Sequence, residues 1–281
     1  SVKSTQKITK AMKMVAAAKL RRAQENAEKG RPYSEKMNNI ILNLSNGISD
    51  KENAPKLLSG TGEEKVHLCV VLTSDRGLCG GFNSSLFRSA VNWIKEKKSQ
   101  GIEVKLMPIG KKASAFYKRS DIEVLENFED LNTNDRQIEV SEQVKNKITD
   151  LFESKSIDEV FILYNKFISA IAQEPTYKSL IPLEQATGDD NALEDNNSSF
   201  EFEPDKNELL EYLIPRNFLT QVYGSILESS AAEHAARMTS MDNATRNAGD
   251  MIEGLTMTYN RTRQAVITKE LIEIISGAEA V

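Results

Sequence analysis

The chain has 281 residues, with a hydrophobic share of 40%, a charged share of 27% and a formal net charge of −5. These proportions belong to a globular protein and exclude a disordered or collagenous chain; no apolar run approaches the roughly 18 residues of a transmembrane helix, and the acidic balance excludes a general nucleic-acid binder. The charge is uneven, however: the first 24 residues carry seven basic side chains and no acid, whereas Ser179 to Asp205 carries eight acids and no base.

Residues 2–29 read as a helix, with Ile8, Met12 and Val15 on one face, followed by Ala16, Ala17, Ala18, Ala23 and Ala27. Lys3, Lys7 and Lys10 recur on it at helical spacing, either as a solvated face or as an electrostatic contact for an acidic partner. A basic start that opens on Ser1 suits a processed or truncated chain, and a mitochondrial transit peptide is one reading of it. The pattern continues unchanged past Glu25 and Glu28, which argues against that reading. Gly30-Arg31-Pro32 is expected to bend or interrupt the helix. A second helical pattern follows at Met37, Ile40, Ile41, Leu44 and Ile48, ended by Gly47, Ser49 and Asp50. We assign residues 1–55 to an N-terminal coiled-coil helix.

Residues 65–204 change period. Val66–Thr73 is a near-continuous apolar run, as in a buried parallel strand. Asn83–Lys98 reads as helix, Glu103–Ile109 as strand, Lys111–Arg119 as a short helix and Ile122–Leu125 as a third strand. Ile138–Phe152 is helical, and Asp158–Tyr164 is a further strand. Alternating strands and helices imply a Rossmann-like α/β domain with a mainly parallel sheet. Thr187–Ser199 is polar and acidic and reads as an exposed loop.

Prolines fall at 32, 55, 108, 175, 182, 204 and 215, and then cease. A helix from Arg216 to Val281 would reach roughly 100 Å, wider than any compact domain of this size, so it must protrude or pair. Steps of four and three from Leu227 land on Ala231, His234, Met238, Met241, Thr245, Ala248, Ile252, Leu255 and Tyr259. That heptad seam predicts a coiled coil, and its small residues predict a thin one. The partner is expected to be the N-terminal helix, running antiparallel, which makes residues 205–281 the second coiled-coil helix.

Little here reads as chemistry. Asp75-Arg76-Gly77-Leu78-Cys79-Gly80-Gly81 lies between a strand and a helix, where α/β proteins cradle phosphates, yet it fits neither glycine-rich phosphate pattern. The plainer reading is a tight turn needing positive φ. His67 and His234, the only histidines, lack neighbours at metal-ligand spacing. Cys69 and Cys79 read as buried thiols in a reducing compartment. No cofactor, metal or catalytic residue is assigned. At the far end, Ile274, Ile275, Ala278, Ala280 and Val281 form an apolar tip, which suits enclosure by a partner sleeve.

Three motifs carry a family resemblance over nearly the whole chain: Ser4 to Ala17, the Asp75–Gly81 turn, and Ile267 to Ala278. In them the chain resembles the γ subunits of F-type ATP synthases, and Met241 to Ala248 is most similar to alphaproteobacterial and mitochondrial forms. In that family a short helical stretch usually precedes the position of Ser1. The resemblance implies a non-catalytic rotor. Its paired terminal helices stand inside a ring of three α and three β subunits, with the α/β domain below against the ε-type subunit (mitochondrial δ) and the membrane ring of c subunits. The protein would sit peripherally on the cytoplasmic face of a bacterial inner membrane or the matrix face of a mitochondrial one, with no transmembrane segment of its own and no nucleic-acid partner. Carried over by position, Met12 and Lys13 would meet an acidic β-subunit loop. Arg263, Gln264 and Thr268 would meet a β-subunit catch loop, and Phe200, Phe202 and Glu203 would form a foot near the c ring. The dithiol insertion of chloroplast forms is absent.

Two other readings compete with the rotor: a nucleotide-binding α/β enzyme that dimerises through its terminal helices, and a scaffold with a basic arm for nucleic acid.

Overall fold

The computed structural model describes residues 1–46, 56–183 and 206–279. The loop expected at Thr187–Ser199 lies outside the described residues, as do the foot positions Phe200, Phe202 and Glu203 and the tip residues Ala280 and Val281. In chain order the elements are α1 (Val2–Asn46), α2 (Lys56–Ser59), β1 (Val66–Leu72), α3 (Phe82–Ser99), β2 (Glu103–Ile109), α4 (Lys111–Tyr117), α5 (Asn134–Glu153), β3 (Glu159–Phe167), β4 (Gln173–Ile181) and α6 (Lys206–Glu279).

The four strands form one sheet in the order β2-β1-β3-β4. The first three are parallel, and β4 runs antiparallel to β3 at the edge. β1 is apolar apart from His67, which lies 3.1 Å from Glu159 on β3, because both its faces are covered. Leu68, Val70 and Leu72 face a core shared with Val144 and Ile148 of α5, Phe218 and Val222 of α6, and Met37 and Ile41 of α1. Cys69 and Val71 face the opposite core, under Leu86, Ala90 and Ala113 of α3 and α4. The chain can turn from β2 into α4 only on glycine: Gly110 has φ 100°, and a Cβ there would stand 2.3 Å from the Thr73 carbonyl oxygen. Thr133 caps α5, its hydroxyl accepting from the Arg136 amide.

Two sheet expectations need correction. Ile122–Leu125 is no strand; it touches β2 through an isolated bridge at Val124, and a second isolated bridge follows at Phe128. Leu106 both donates to Glu123 and accepts from Leu125, so Pro108, two residues on, faces the same outer side and has no N–H with which to continue the ladder. Conversely β4, half-exposed and containing Pro175, carries no alternation strong enough to read as a strand, and was not expected.

The helices are longer than expected. α1 is continuous over 45 residues and passes through Gly30-Arg31-Pro32 without a break. Pro32 lies on the exposed side, while Ala23 and Met37 are buried on either side of it. Those anchors offset the roughly 3 kcal/mol that an interior proline costs. α6 runs for 74 residues, takes in Pro215 and reaches about 110 Å.

α1 and α6 pack antiparallel. Thr9 meets Thr245, Lys13 meets Asp242, and Leu20 and Ala23 share a cluster with Ala231 and Ala235. The heptad read for α6 is the contact seam as far as Ala248. On α1 the face differs from the expected one, since Ile8 and Val15 are each 57% exposed. The inward positions step by four and three through Val2, Gln6, Thr9, Lys13, Ala16, Leu20, Ala23, Ala27, Gly30, Ser34, Met37, Ile41 and Leu44. The lower seam joins the domain core, the middle is alanine-rich, and the upper end is polar. Among the described residues α1 covers α6 as far as about Ile252, and Leu255 and Tyr259 are exposed rather than paired.

His234 sits on the seam, its Nδ1 3.3 Å from Arg237 Nη1. Burial, aided by the charges of Arg237 and Lys19, brings its pKa down from 6.5 to about 4. The fold therefore favours neutral imidazole, and the unfolded chain takes up the proton first as pH falls. This contribution, on the order of 3 kcal/mol, is complete above pH 6.5 and is lost as pH falls toward 4. Urea unfolding of the wild-type chain and of His234→Asn across that window should show the stability difference between them moving steadily in the variant's favour as the solution is acidified; a pH-independent difference would contradict the assignment.

Candidate functional site

The order of the strands sets where a ligand would be sought. From β1 the chain crosses to β2 on one side, and from β2 it returns across β1 to β3 on the other. In open α/β sheets the crevice beyond the carboxyl ends of the strands at such a reversal is the usual binding place. Here α6 passes through it. Phe167, at the end of β3, packs against the cluster of Leu20, Ala23, Ala231 and Ala235. Arg237 donates from Nη2 to the carbonyls of Arg76 and Gly77 at 3.1 and 3.2 Å, and pairs with Glu233 at 2.6 Å. Two residues on, the Thr239 hydroxyl donates to the Ala170 carbonyl, in the β3–β4 connection, at 2.9 Å. One turn of α6 is thus held between the two loops.

The Asp75–Gly81 turn is built for this contact. Leu78 and Gly80 take φ of 63° and 57°, as the plain turn reading expected. The Asp75 carboxylate accepts from the amides of Lys111, Asp130 and Leu131. Ser74 donates to the Arg76 carbonyl at 2.7 Å, and the Asn83 side chain accepts from the Ser74 amide at 3.1 Å. Its carbonyls serve Arg237, a protein cation, rather than its amides serving a phosphate. Cys79 in the turn is buried, and burial pushes its thiol pKa up; burial takes the Cys69 thiol to about 12. Neither is an activated nucleophile. Among the described residues, no group of three or more His, Cys, Asp or Glu side chains is placed to hold a metal ion.

A groove of about 970 Å³ opens where α1 crosses this turn, lined in part by Met12, Val15, Lys19, Arg22, Arg76 and Leu78. Met12 is half-buried at its wall. Lys13 is turned instead toward α6, its Nζ 2.6 Å from Asp242 Oδ1. Lys3, Lys7 and Lys10 are exposed. The Arg237 grip was not anticipated; the signal for it was an Arg with Glu233 four residues before it, in a stretch otherwise of small residues.

Beyond Ile252 the helix continues alone for about 25 residues, or roughly 40 Å. Arg263, Gln264, Thr268 and Ala278 are all exposed on it. So are Leu271 at 53%, Ile274 at 72% and Ile275 at 51%. At about 100° per residue, Arg263, Gln264 and Thr268 share a side with Ile267, Leu271, Ile274 and Ile275, and the Lys269–Glu273 pair lies opposite. An isolated helix of this length is marginal in water, and its apolar stripe calls for a partner.

A sequence model of the ATP synthase family matches residues 1–281. The chain is 57% identical over 284 residues to an ATP synthase gamma chain of Pelagibacter ubique and 48% identical over 281 residues to that of Parvibaculum lavamentivorans, in each case covering 100% of this chain and 96% of the relative. Among solved structures it is similar to the central stalk and c-ring structure of Tetrahymena thermophila mitochondrial ATP synthase, with TM-score 0.60 and 26% identity over 85% of this chain and 99% of that one. It also shares its fold with the rotor of Euglena gracilis mitochondrial ATP synthase, with TM-score 0.59 and 20% identity over 95% of each chain. With a full-length family match and close relatives of one name, the chain belongs to the ATP synthase gamma-chain family.

Proposed function

We propose that the chain is the central-stalk rotor of an F-type ATP synthase, carrying rotation of a membrane c ring to a catalytic ring of three α and three β subunits and so coupling proton flow to ATP synthesis or hydrolysis. The observation that carries this reading is the upper part of α6, a helix with an apolar stripe that the described residues leave uncovered. A sleeve of α and β subunits supplies that cover. Apolar contact is non-directional, so Ile274, Ile275 and Ala278, continued by Ala280 and Val281, can turn inside the sleeve without deep angular traps.

Arg263, Gln264 and Thr268 then offer hydrogen bonds to a β-subunit catch loop from the exposed helix. Met12, on the groove wall beside the cations Lys19, Arg22 and Arg76, receives an acidic β-subunit loop, with Lys13 adjacent. Phe200, Phe202 and Glu203 form the foot toward the c ring, and the α/β domain takes the ε-type subunit. The chain works without a catalytic site or cofactor of its own: its asymmetry shifts the nucleotide affinities of the three β sites in turn. No helix among the described residues is long and apolar enough to cross a membrane. The protein rides on the c ring, at the cytoplasmic face of a bacterial inner membrane or the matrix face of a mitochondrial one.

The isolated chain is expected to hydrolyse no ATP, and to restore proton-coupled hydrolysis when combined with cognate α and β subunits on c-ring-containing membranes; failure to restore it would overturn the rotor reading. Arg263→Ala and Gln264→Ala should change unfolding free energy by less than about 0.5 kcal/mol, since both side chains are exposed. Each should lower ATP-driven proton pumping by about three- to tenfold, the equivalent of one net hydrogen bond. Variants that unfold, or that pump normally, would refute the catch-loop assignment.

A further inference from the structure

The upper end of the coil is held by a chemistry unlike the rest. From Ala16 toward the C-terminus, α1 grips its neighbours through apolar side chains: Leu20 and Ala23 against Ala231 and Ala235, then Met37, Ile41 and Leu44 in the domain core. From Lys13 toward the N-terminus the inward positions are Lys13, Thr9, Gln6 and Val2. Hydrophobic burial therefore does little for this stretch, and its hold on α6 rests on polar contacts.

Two polar ties cross to α6 there. Thr245 Oγ1 lies 2.8 Å from Thr9 Oγ1, where Thr9 is only 8% exposed. Thr9 Oγ1 is also 3.1 Å from the Gln6 carbonyl, and Thr245 Oγ1 is 2.7 Å from that of Met241. The two hydroxyl protons can serve the bridge and one of those carbonyls. One turn below, Asp242 accepts from Lys13 at 2.6 Å, and its other oxygen is 2.9 Å from Arg246 on its own helix. Above the bridge, Gln6 Nε2 reaches to within 3.1 Å of where a Gly249 Cβ would stand. Polar pairs at seam positions fix which residues face each other, where a row of alanines tolerates sliding.

We infer that the Thr9–Thr245 bridge and the Lys13–Asp242 pair are positioning groups that fasten the upper part of α1 to α6, so that the two helices resist twisting as one shaft. The inference rests on the rotor reading above. Two rods joined only at the base twist separately under torque; ties placed higher up make each carry the other's load.

The test uses the full-length chain with Thr245→Val and Asp242→Asn combined, leaving Lys13 and the proposed β-subunit contacts intact. Hydrogen exchange on the purified protein is expected to speed up by about tenfold at the amides of residues 6–14 while those of residues 20–44 keep their rates. In the reconstituted enzyme, the variant is expected to pump fewer protons per ATP hydrolysed than the wild type. A disulfide from Gln6→Cys and Gly249→Cys, added to the variant, should restore both exchange protection and pumping on oxidation. Unchanged exchange would overturn the tie. Faster exchange with normal pumping, or a disulfide that restores protection without pumping, would overturn its role in coupling. The exchange measurement needs no α or β subunit, and the wild-type enzyme in the pumping assay judges the rotor reading separately.

Discussion

One antiparallel seam between the two ends of the chain organises the whole molecule. α1 and α6 meet residue against residue along a heptad register, and the helices differ in length by nearly thirty residues, 45 against 74. Everything else follows from that register and from where the α/β domain attaches. At the base the two helices are part of the domain core, with Phe218 and Ile41 among its largest fully buried side chains. Through the middle they are joined by alanines, whose burial yields only about 0.8 kcal/mol per methyl-sized group. At the top the contact is polar, and beyond it one helix stands alone. Stability thus falls along the axis from the domain outward, and the least self-sufficient part is the part that most needs neighbours.

The second organising contact is the passage of α6 through the crevice of the sheet. A doubly covered parallel sheet ordinarily leaves that crevice open for a ligand. Here Arg237, with only 12% of its side chain exposed, is satisfied by Glu233 and by two loop carbonyls. A guanidinium buried to this degree is stable only with partners for its charge and for its N–H groups, and it has both. The fold that in other proteins presents a cofactor is used here to hold a helix, and the domain is thereby keyed to the shaft at a defined height.

Much of this architecture was legible in the residues, and the failures have physical causes. The α6 heptad, read from Leu227 to Tyr259, could be found because small or apolar residues fill nearly all of its positions, His234 apart, although Leu255 and Tyr259 are exposed. The α1 seam could not, because its inward positions include Gln6, Thr9 and Lys13, while Ile8, Met14 and Val15 face outward. Hydrophobic pattern reports where water is excluded in the final assembly, and α1 is apolar on a side its own chain does not cover. Pro32 suggested a break that flanking burial prevents, and β4 was hidden by Pro175 and by the half-exposed character of an edge strand. The side chains proposed to touch other subunits were drawn from family resemblance. Of these, Arg263, Gln264 and Thr268 are exposed, as partner contacts require, and Met12 is half-buried at the groove wall.

The unbroken course of α6 has a consequence for how such a chain can change over time. No loop separates the part gripped by the domain from the lone tip, so every side chain beyond Arg237 keeps a fixed angular phase relative to that grip. Losing or gaining a single residue anywhere between the two would swing the whole tip by about 100°, carrying Arg263 and the isoleucines to a different compass bearing, whereas a seven-residue insertion would displace them by only about 20°. Point substitutions are therefore open to the upper helix, while changes in its length are confined to near-whole turns.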